Sequence, residues 1–198
     1  MTHQVVVTGL GLITSIGNNK AQVTESLREL KHGFANITFL DNPRIPVKVI
    51  GSIKEFKTDS YNWVEWEYPD HFNLDTDYLK SLSPHGLHCL CAMLQAVEDS
   101  GLKEEDVAST ETGLFASSAG STFMMRNNLE SLLATNGMRI NPLSVVSSVA
   151  GTLNFNLGAY FGIRGGNLGF VSACASSSHA IGYGFDEIHL GRHKRIFV

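Results

Sequence analysis

Three observations in the sequence predict an α/β fold. The last forty residues order as an apolar strand, a helix and a second apolar strand. A long, well-capped helix runs between Ser83 and Gly101, with further strand candidates on either side. Small residues collect where strands turn into helices, and nine of the 19 glycines fall between Gly151 and Gly191. Strand, helix, strand in that order is the pattern of a sheet with crossover helices. The chain has 198 residues, 43% hydrophobic and 17% charged, enough for one core without disulfide or metal staples. That balance excludes a disordered chain. No run of about 18 apolar residues supplies a membrane span, and the opening Met1-Thr2-His3-Gln4 lacks the pattern of a secretory signal. A net charge of −4 argues against nucleic acid as a partner. Three cysteines, Cys89, Cys91 and Cys174, form an odd, sparse set. Such a set suits a reducing cytoplasm rather than a disulfide framework.

The elements follow in order. Gln4 to Thr8 is a β-branched run that reads as a buried strand, stopped by the tight turn Gly9-Leu10-Gly11. Ala21 to Leu30 has helix-forming composition, with a basic last turn and a glycine stop at Lys31-His32-Gly33. Ile45 to Ile53 is extended. From Lys57 to Leu82 aromatic and acidic residues interleave with no sustained period, so the segment is an irregular excursion at about 57–82. It reads as a surface insertion, with a lid or interface loop as the alternative. Ser83-Pro84 is an N-cap followed by a first-turn proline. Leu87, Leu90, Met93, Leu94 and Val97 then form a wide apolar face. Thr112 to Ser117 is a strand and Phe123 to Leu133 a helix. Pro142 to Phe161 mixes small and apolar residues and reads as buried. Leu168 to Ser172 is a short buried strand, followed by a small-residue turn and a helix through Ile188. Arg195 to Val198 begins another strand. No linker divides the chain into two domains.

Several groups invite chemistry. Gly9-Leu10-Gly11 after a strand suggests a dinucleotide site, but the third glycine of that fingerprint would fall on Thr14 and no ribose-binding acid follows in a strand context. His85, His88, Cys89 and Cys91 look like metal ligands, yet one helix cannot wrap four ligands around a tetrahedral ion. They read as a packed helix with buried thiols, and neither a metal nor a cofactor is expected. Cys174 is different. It sits at a strand-to-helix junction among alanines and serines. A helix's first turn offers unpaired N–H groups and the positive end of its dipole. Both favour a thiolate, and the same N–H groups can stabilise an oxyanion on an attacked thioester. The residues leave open a nucleophile or a buried structural cysteine. His179, five residues on, does not stack over the sulfur and reads as structural.

Four segments together resemble the β-ketoacyl-[acyl-carrier-protein] synthases of the elongating, decarboxylating branch, which serve type II fatty-acid and polyketide synthesis. They are Val7-Thr8-Gly9-Leu10-Gly11, Asp99-Ser100-Gly101-Leu102, Gly162-Ile163-Arg164-Gly165, and the run from Val171 through Cys174 and His179 to Gly182. The resemblance spans the chain. It implies a thiolase-like fold, an αβαβα five-layer sandwich when complete, of which residues 1–198 are the N-terminal half of the pseudo-duplicated core. It implies an acyltransferase in which Cys174 accepts an acyl chain from acyl-carrier protein and condenses it with a decarboxylated malonyl thioester. It also implies a homodimer or a ketosynthase/chain-length-factor heterodimer. The catalytic histidines and lysine of the family belong to the other half, so only Cys174 and its own N–H map onto this chain.

The departures carry their own expectations. The basic cluster that precedes the long helix in the family is replaced by Asp75 and Asp77, with Lys80 the only nearby cation, which opposes docking of an acidic carrier. The acyl-channel loop reads Ser117-Ser118-Ala119-Gly120, with the gate position at Gly120, and a pocket-end position falls on Ser144. Small residues at Ala119, Gly120 and Ser144 imply a roomy channel for long or stiff chains, which Gly120→Ile would shorten. Gly165-Gly166 replaces a glycine-proline pair and loosens the approach to the active-site strand. The alternative function is a non-catalytic thiolase-like partner or remnant that acts through an interface.

Overall fold

The computed structural model describes residues 3–36, 42, 44–138 and 140–198; Met1 and Thr2 lie outside it. Helix α1 (Lys20–Arg28) is capped by the Asn19 side chain, which accepts from the Gln22 N–H. Strands β1 (Phe34–Asn36) and β2 (Val49–Gly51) form an antiparallel pair. After 3₁₀ turns at Trp63–Glu65 and Asp70–Phe72 come α2 (Thr76–Leu79) and the long α3 (Pro84–Ser100). The remainder runs α4 (Glu104–Val107), β3 (Thr112–Ser117), α5 (Thr122–Ala134), α6 (Ser144–Ser148), α7 (Leu153–Phe161), β4 (Asn167–Phe170), α8 (Ser176–His189) and β5 (Arg195–Phe197).

β3 is the centre. It pairs in parallel with β4 on one side and β5 on the other. Alternate residues of a strand point to opposite faces. Leu114 and Ala116 join the core formed with Leu87, Leu90 and Cys91 of α3 and Leu153 and Leu157 of α7. Phe115 meets Phe170, whose ring in turn meets Tyr183 of α8. Helices therefore cover both faces of the sheet, which is the α/β arrangement the sequence predicts. α3 forms as its end signals require: Ser83 Oγ accepts from the Gly86 N–H, Pro84 opens the helix, and Gly101 closes it at φ +69.

Five expectations are corrected. Residues 4–8 are neither a strand nor buried, with Val7 81% exposed. Within the described chain this run has no strand beside it, and β-branched composition cannot replace a pairing partner. The residues that flank it are tied to helices instead: the His3 N–H donates to His189 O, the Leu10 N–H to Asp99 and the Leu12 N–H to Gln95. Gly9 and Gly11 make no tight turn. A Cβ on Gly11 would lie 1.6 Å from Ala92 O, and one on Gly9 2.3 Å from Ala96 O, so they let the backbone lie directly on α3. α1 ends at Arg28 with Glu29 as its C-cap, not at Gly33. Leu30 takes φ +54 and the Lys31 N–H closes back on Ser26 O at 2.8 Å.

The fourth correction concerns residues 57–82, which are not a surface insertion. Trp66, Leu74, Leu79 and Leu82 are buried in the core, and Trp66 Nε1 donates to Ser60 O at 2.8 Å. Short turns bury these side chains without any periodic spacing, which is why no period shows in the sequence. Fifth, β4 is largely exposed. One edge of it is open, and Leu168 and Val171 are about half exposed, as are Ile181 and Tyr183 of α8.

Two predictions follow from α3. Gly11→Ala forces a methyl into the α3 backbone and is expected to cost about 3 kcal/mol, read as a lower Tm. The second concerns His88, which packs edge-on against Phe56 with its Nε2 buried and unpartnered. Burial, helped by the nearby His85, pushes the His88 imidazole from 6.5 down to about 4. The unfolded chain binds this proton near 6.5 and the folded chain only near 4. Stability is therefore full above about 6.5 and falls as the pH drops through that window, by about 3 kcal/mol. Urea unfolding between pH 7 and 4 is expected to show this loss, and His88→Phe to remove most of it.

Candidate active site

Parallel pairing sets which loops meet. Ser117 lies opposite Phe170 in the β3–β4 register, so the loop after β3 and the turn after β4 leave the sheet at the same end. The turn after β4 carries Cys174. Ala173, just before it, has φ +47. That is a left-handed conformation which a residue with a Cβ adopts at a cost of about 1–2 kcal/mol. The chain reverses sharply there, and Cys174 is exposed at the outside of the bend.

Ser176 holds the bend. Its buried hydroxyl accepts from the Ser172 N–H at 2.7 Å and donates to Ala173 O at 2.8 Å. The Ala175 N–H adds a bond to Ser172 O at 3.0 Å. α8 starts at Ser176 with Ala175 as its cap. Cys174 thus stands one residue ahead of the cap, not on the first turn as the sequence reading has it. The first-turn N–H groups of Ser177 and Ser178 have no intrahelical acceptor and give this end of α8 its positive potential. Ala180 is buried and Gly184 packs against Ile196 and Val198, which seats the helix on the sheet. His179 is exposed, so its side chain fills no structural position in the core.

The other two thiols face the opposite conditions. Burial pushes Cys89 up to about 11 and Cys91 up to about 12, so both remain protonated near neutral pH. His85 and His88 do not turn toward them as a ligand set. His85 bonds to Ser83 and Ser118, and His88 lies against Phe56.

The candidate channel residues lie on two neighbouring segments. Ala119 is exposed and Ser144 half-buried at the start of α6. Gly120 has φ +79, and a Cβ there would lie 2.7 Å from both Ser148 O and Ala150 N. The glycine at 120 is demanded by its backbone and by this close approach, so it provides no spare room. Gly120→Ile would distort the loop rather than narrow a channel.

Gly166 is also not a loosened joint. Its N–H donates to His193 Nε2 at 2.8 Å, and His193 Nδ1 donates to Glu187 Oε2 at 3.0 Å. A proline at 166 would have no proton to give. Arg192 and His193 hold the Glu187 carboxyl below its usual range. On the face before α3, Asp75 caps α2, and Asp77 pairs with Lys80. The nearest cation is thereby neutralised. Ser176, His193 and Ser118 escaped the sequence reading. A serine four residues after Ser172 is a local signal for the first; the other two pair over long sequence distances and leave none.

Residues 2–198 match the family described as Beta-ketoacyl synthase, N-terminal domain. The 3-oxoacyl-[acyl-carrier-protein] synthase 1 of Haemophilus influenzae is 30% identical over 200 residues, covering 99% of this chain and 46% of that protein. The chain thus spans about half the length of the curated relatives it matches. Among solved structures, a Beta-ketoacyl synthase from Burkholderia phymatum STM815 superposes with a TM-score of 0.77 at 21% identity, over 98% of this chain and 45% of that one. The ishigamide ketosynthase/chain length factor gives 0.75 at 23%, over 98% and 46%. These structures share the fold. Taken with the bend at Cys174, the match over residues 2–198 places this chain in the β-ketoacyl synthase family, as its N-terminal domain.

Proposed function

We propose that this chain supplies the nucleophilic half of a carrier-protein-dependent ketosynthase. The observation that carries this reading is an exposed Cys174 held on a strained, hydroxyl-braced bend one residue ahead of the α8 cap. The relatives' names add that they act on acyl-carrier-protein substrates. In the first step the Cys174 sulfur attacks the thioester carbonyl of an acyl-carrier protein. The carbonyl oxygen gathers negative charge, which the Cys174 N–H and the start of α8 stabilise. The carrier's thiol leaves, and the acyl group stays on Cys174. In the second step a malonyl-carrier protein loses carbon dioxide. The electron pair left on its α-carbon attacks the acyl-Cys174 carbonyl, giving the 3-oxoacyl product and freeing the thiol.

The proton transfers and the decarboxylation need the histidines and lysine that the family places in its other half. The half-exposed apolar side chains of β4 and α8 are the surface on which that half and a second subunit would sit. That subunit is either another copy or a chain-length factor. Ala119 and Ser144 are the proposed walls of the acyl channel. No helix among the described residues is long and apolar enough to cross a membrane, and we place the protein in the cytoplasm.

Incubation of the full-length protein with an acyl-carrier protein should give a single acyl adduct on Cys174 by intact mass and peptide mapping. Cys174→Ala should abolish it without lowering Tm. An adduct on Cys89 or Cys91 instead would overturn the assignment. Ser176→Ala removes both braces of the bend. It is expected to cost about 1–3 kcal/mol of stability and to slow Cys174 acylation at least tenfold in stopped mass-spectrometric assays.

A further inference from the structure

We propose that His85 sets the acyl-chain preference by fixing the loop after β3, as a positioning residue that acts through Ser118. This rests on the reading of Ala119 and Ser144 as channel walls. His85 is the second residue of α3 and is half-buried. Its ring bridges two serines, with Nδ1 3.0 Å from Ser83 Oγ and Nε2 2.9 Å from Ser118 Oγ.

Each serine is itself tied to a backbone donor: Ser118 Oγ accepts the Gly120 N–H at 3.0 Å and Ser83 Oγ the Gly86 N–H at 3.2 Å. A neutral imidazole carries one ring proton, so it donates to one of these hydroxyls and accepts from the other. Burial pushes the His85 imidazole below its ordinary value, which favours the neutral ring that makes both bonds.

From Ser118 the line continues to the channel. Gly120 lies against the backbone of 148–150, and the Ser121 N–H donates to Ser148 O at 2.8 Å. Ser148 in turn bonds through its hydroxyl to Ser144 O. Ala119 is held between Ser118 and Gly120, and Ser144 stands at the far end of the same chain of bonds. The adjacent Ser117 hydroxyl is buried with no partner, so it offers the loop no second anchor. Neither the four family-like motifs nor the nucleophile involves His85.

The test uses the full-length protein and four variants: His85→Leu, His85→Gln, Ser118→Ala and the double variant H85L/S118A. Glutamine places an amide, able to accept or donate, within reach of Ser118; leucine does not. Acylation of Cys174 is followed by intact mass with a short-chain and a long-chain acyl-carrier protein as donors. H85L and S118A are each expected to change the long-to-short KM ratio about fivefold, with the maximal rate on the short donor unchanged. H85Q should restore the wild-type ratio, and the double variant should be no worse than either single one. An unchanged ratio, additive effects, or equal loss on both donors with a lower Tm would overturn the proposal. Should H85L fail to fold, S118A carries the kinetic test. A wild type that gives no Cys174 adduct with either donor fails the proposed function itself, whereas an adduct with a fixed ratio fails only this inference.

Discussion

Everything near Cys174 depends on β3 being paired on both edges and covered on both faces. A strand in that position cannot slide, because a one-residue slip would turn Leu114 and Ala116 out of one core and Phe115 out of the other. Its register with β4 then fixes where two otherwise irregular segments emerge. One ends in the bend at Ala173 and Cys174, the other in Ser118 to Gly120. The strain at Ala173 is affordable only because the strand before it and the helix after it are anchored to this sheet, and because Ser176 closes the bend with two bonds.

The three thiols show how placement alone separates like groups. Cys89 and Cys91 sit on α3, where burial penalises the anion. Cys174 is exposed ahead of a helix start. A bulky thiol reagent therefore meets one accessible candidate, with no need for any special sequence around the other two. The motifs of the family divide in the same way. Asp99 receives the Leu10 N–H, Gly9 and Gly11 lie on α3, and Arg164 donates to Ala108 O. These segments hold the scaffold together, and the fourth contains the proposed nucleophile, Cys174.

The substitutions that depart from the family acquire meaning only with their neighbours. Gly166 in place of proline reads as slack in isolation, yet its N–H is the donor that His193 receives. Gly120 reads as space, yet the backbone of 148–150 fills that space. In both cases a residue type was interpretable only once the atom opposite it was known.

Local signals were enough for the helix α3, whose cap, proline and closing glycine lie within a few residues of the helix they control. The same holds for β3 and for the strand–helix–strand order of β4, α8 and β5. Tertiary structure decided what depends on a distant partner. Residues 4–8 have strand composition but form no strand, because a strand exists only where another strand accepts its hydrogen bonds. Trp66 and Leu74 are core because turns fold them inward without a period. His85 meets Ser118 across 33 positions. Side-chain periodicity and caps act over one or two turns, whereas pairing, close approach and long-range hydrogen bonds are set by the whole fold, and no local pattern encodes them.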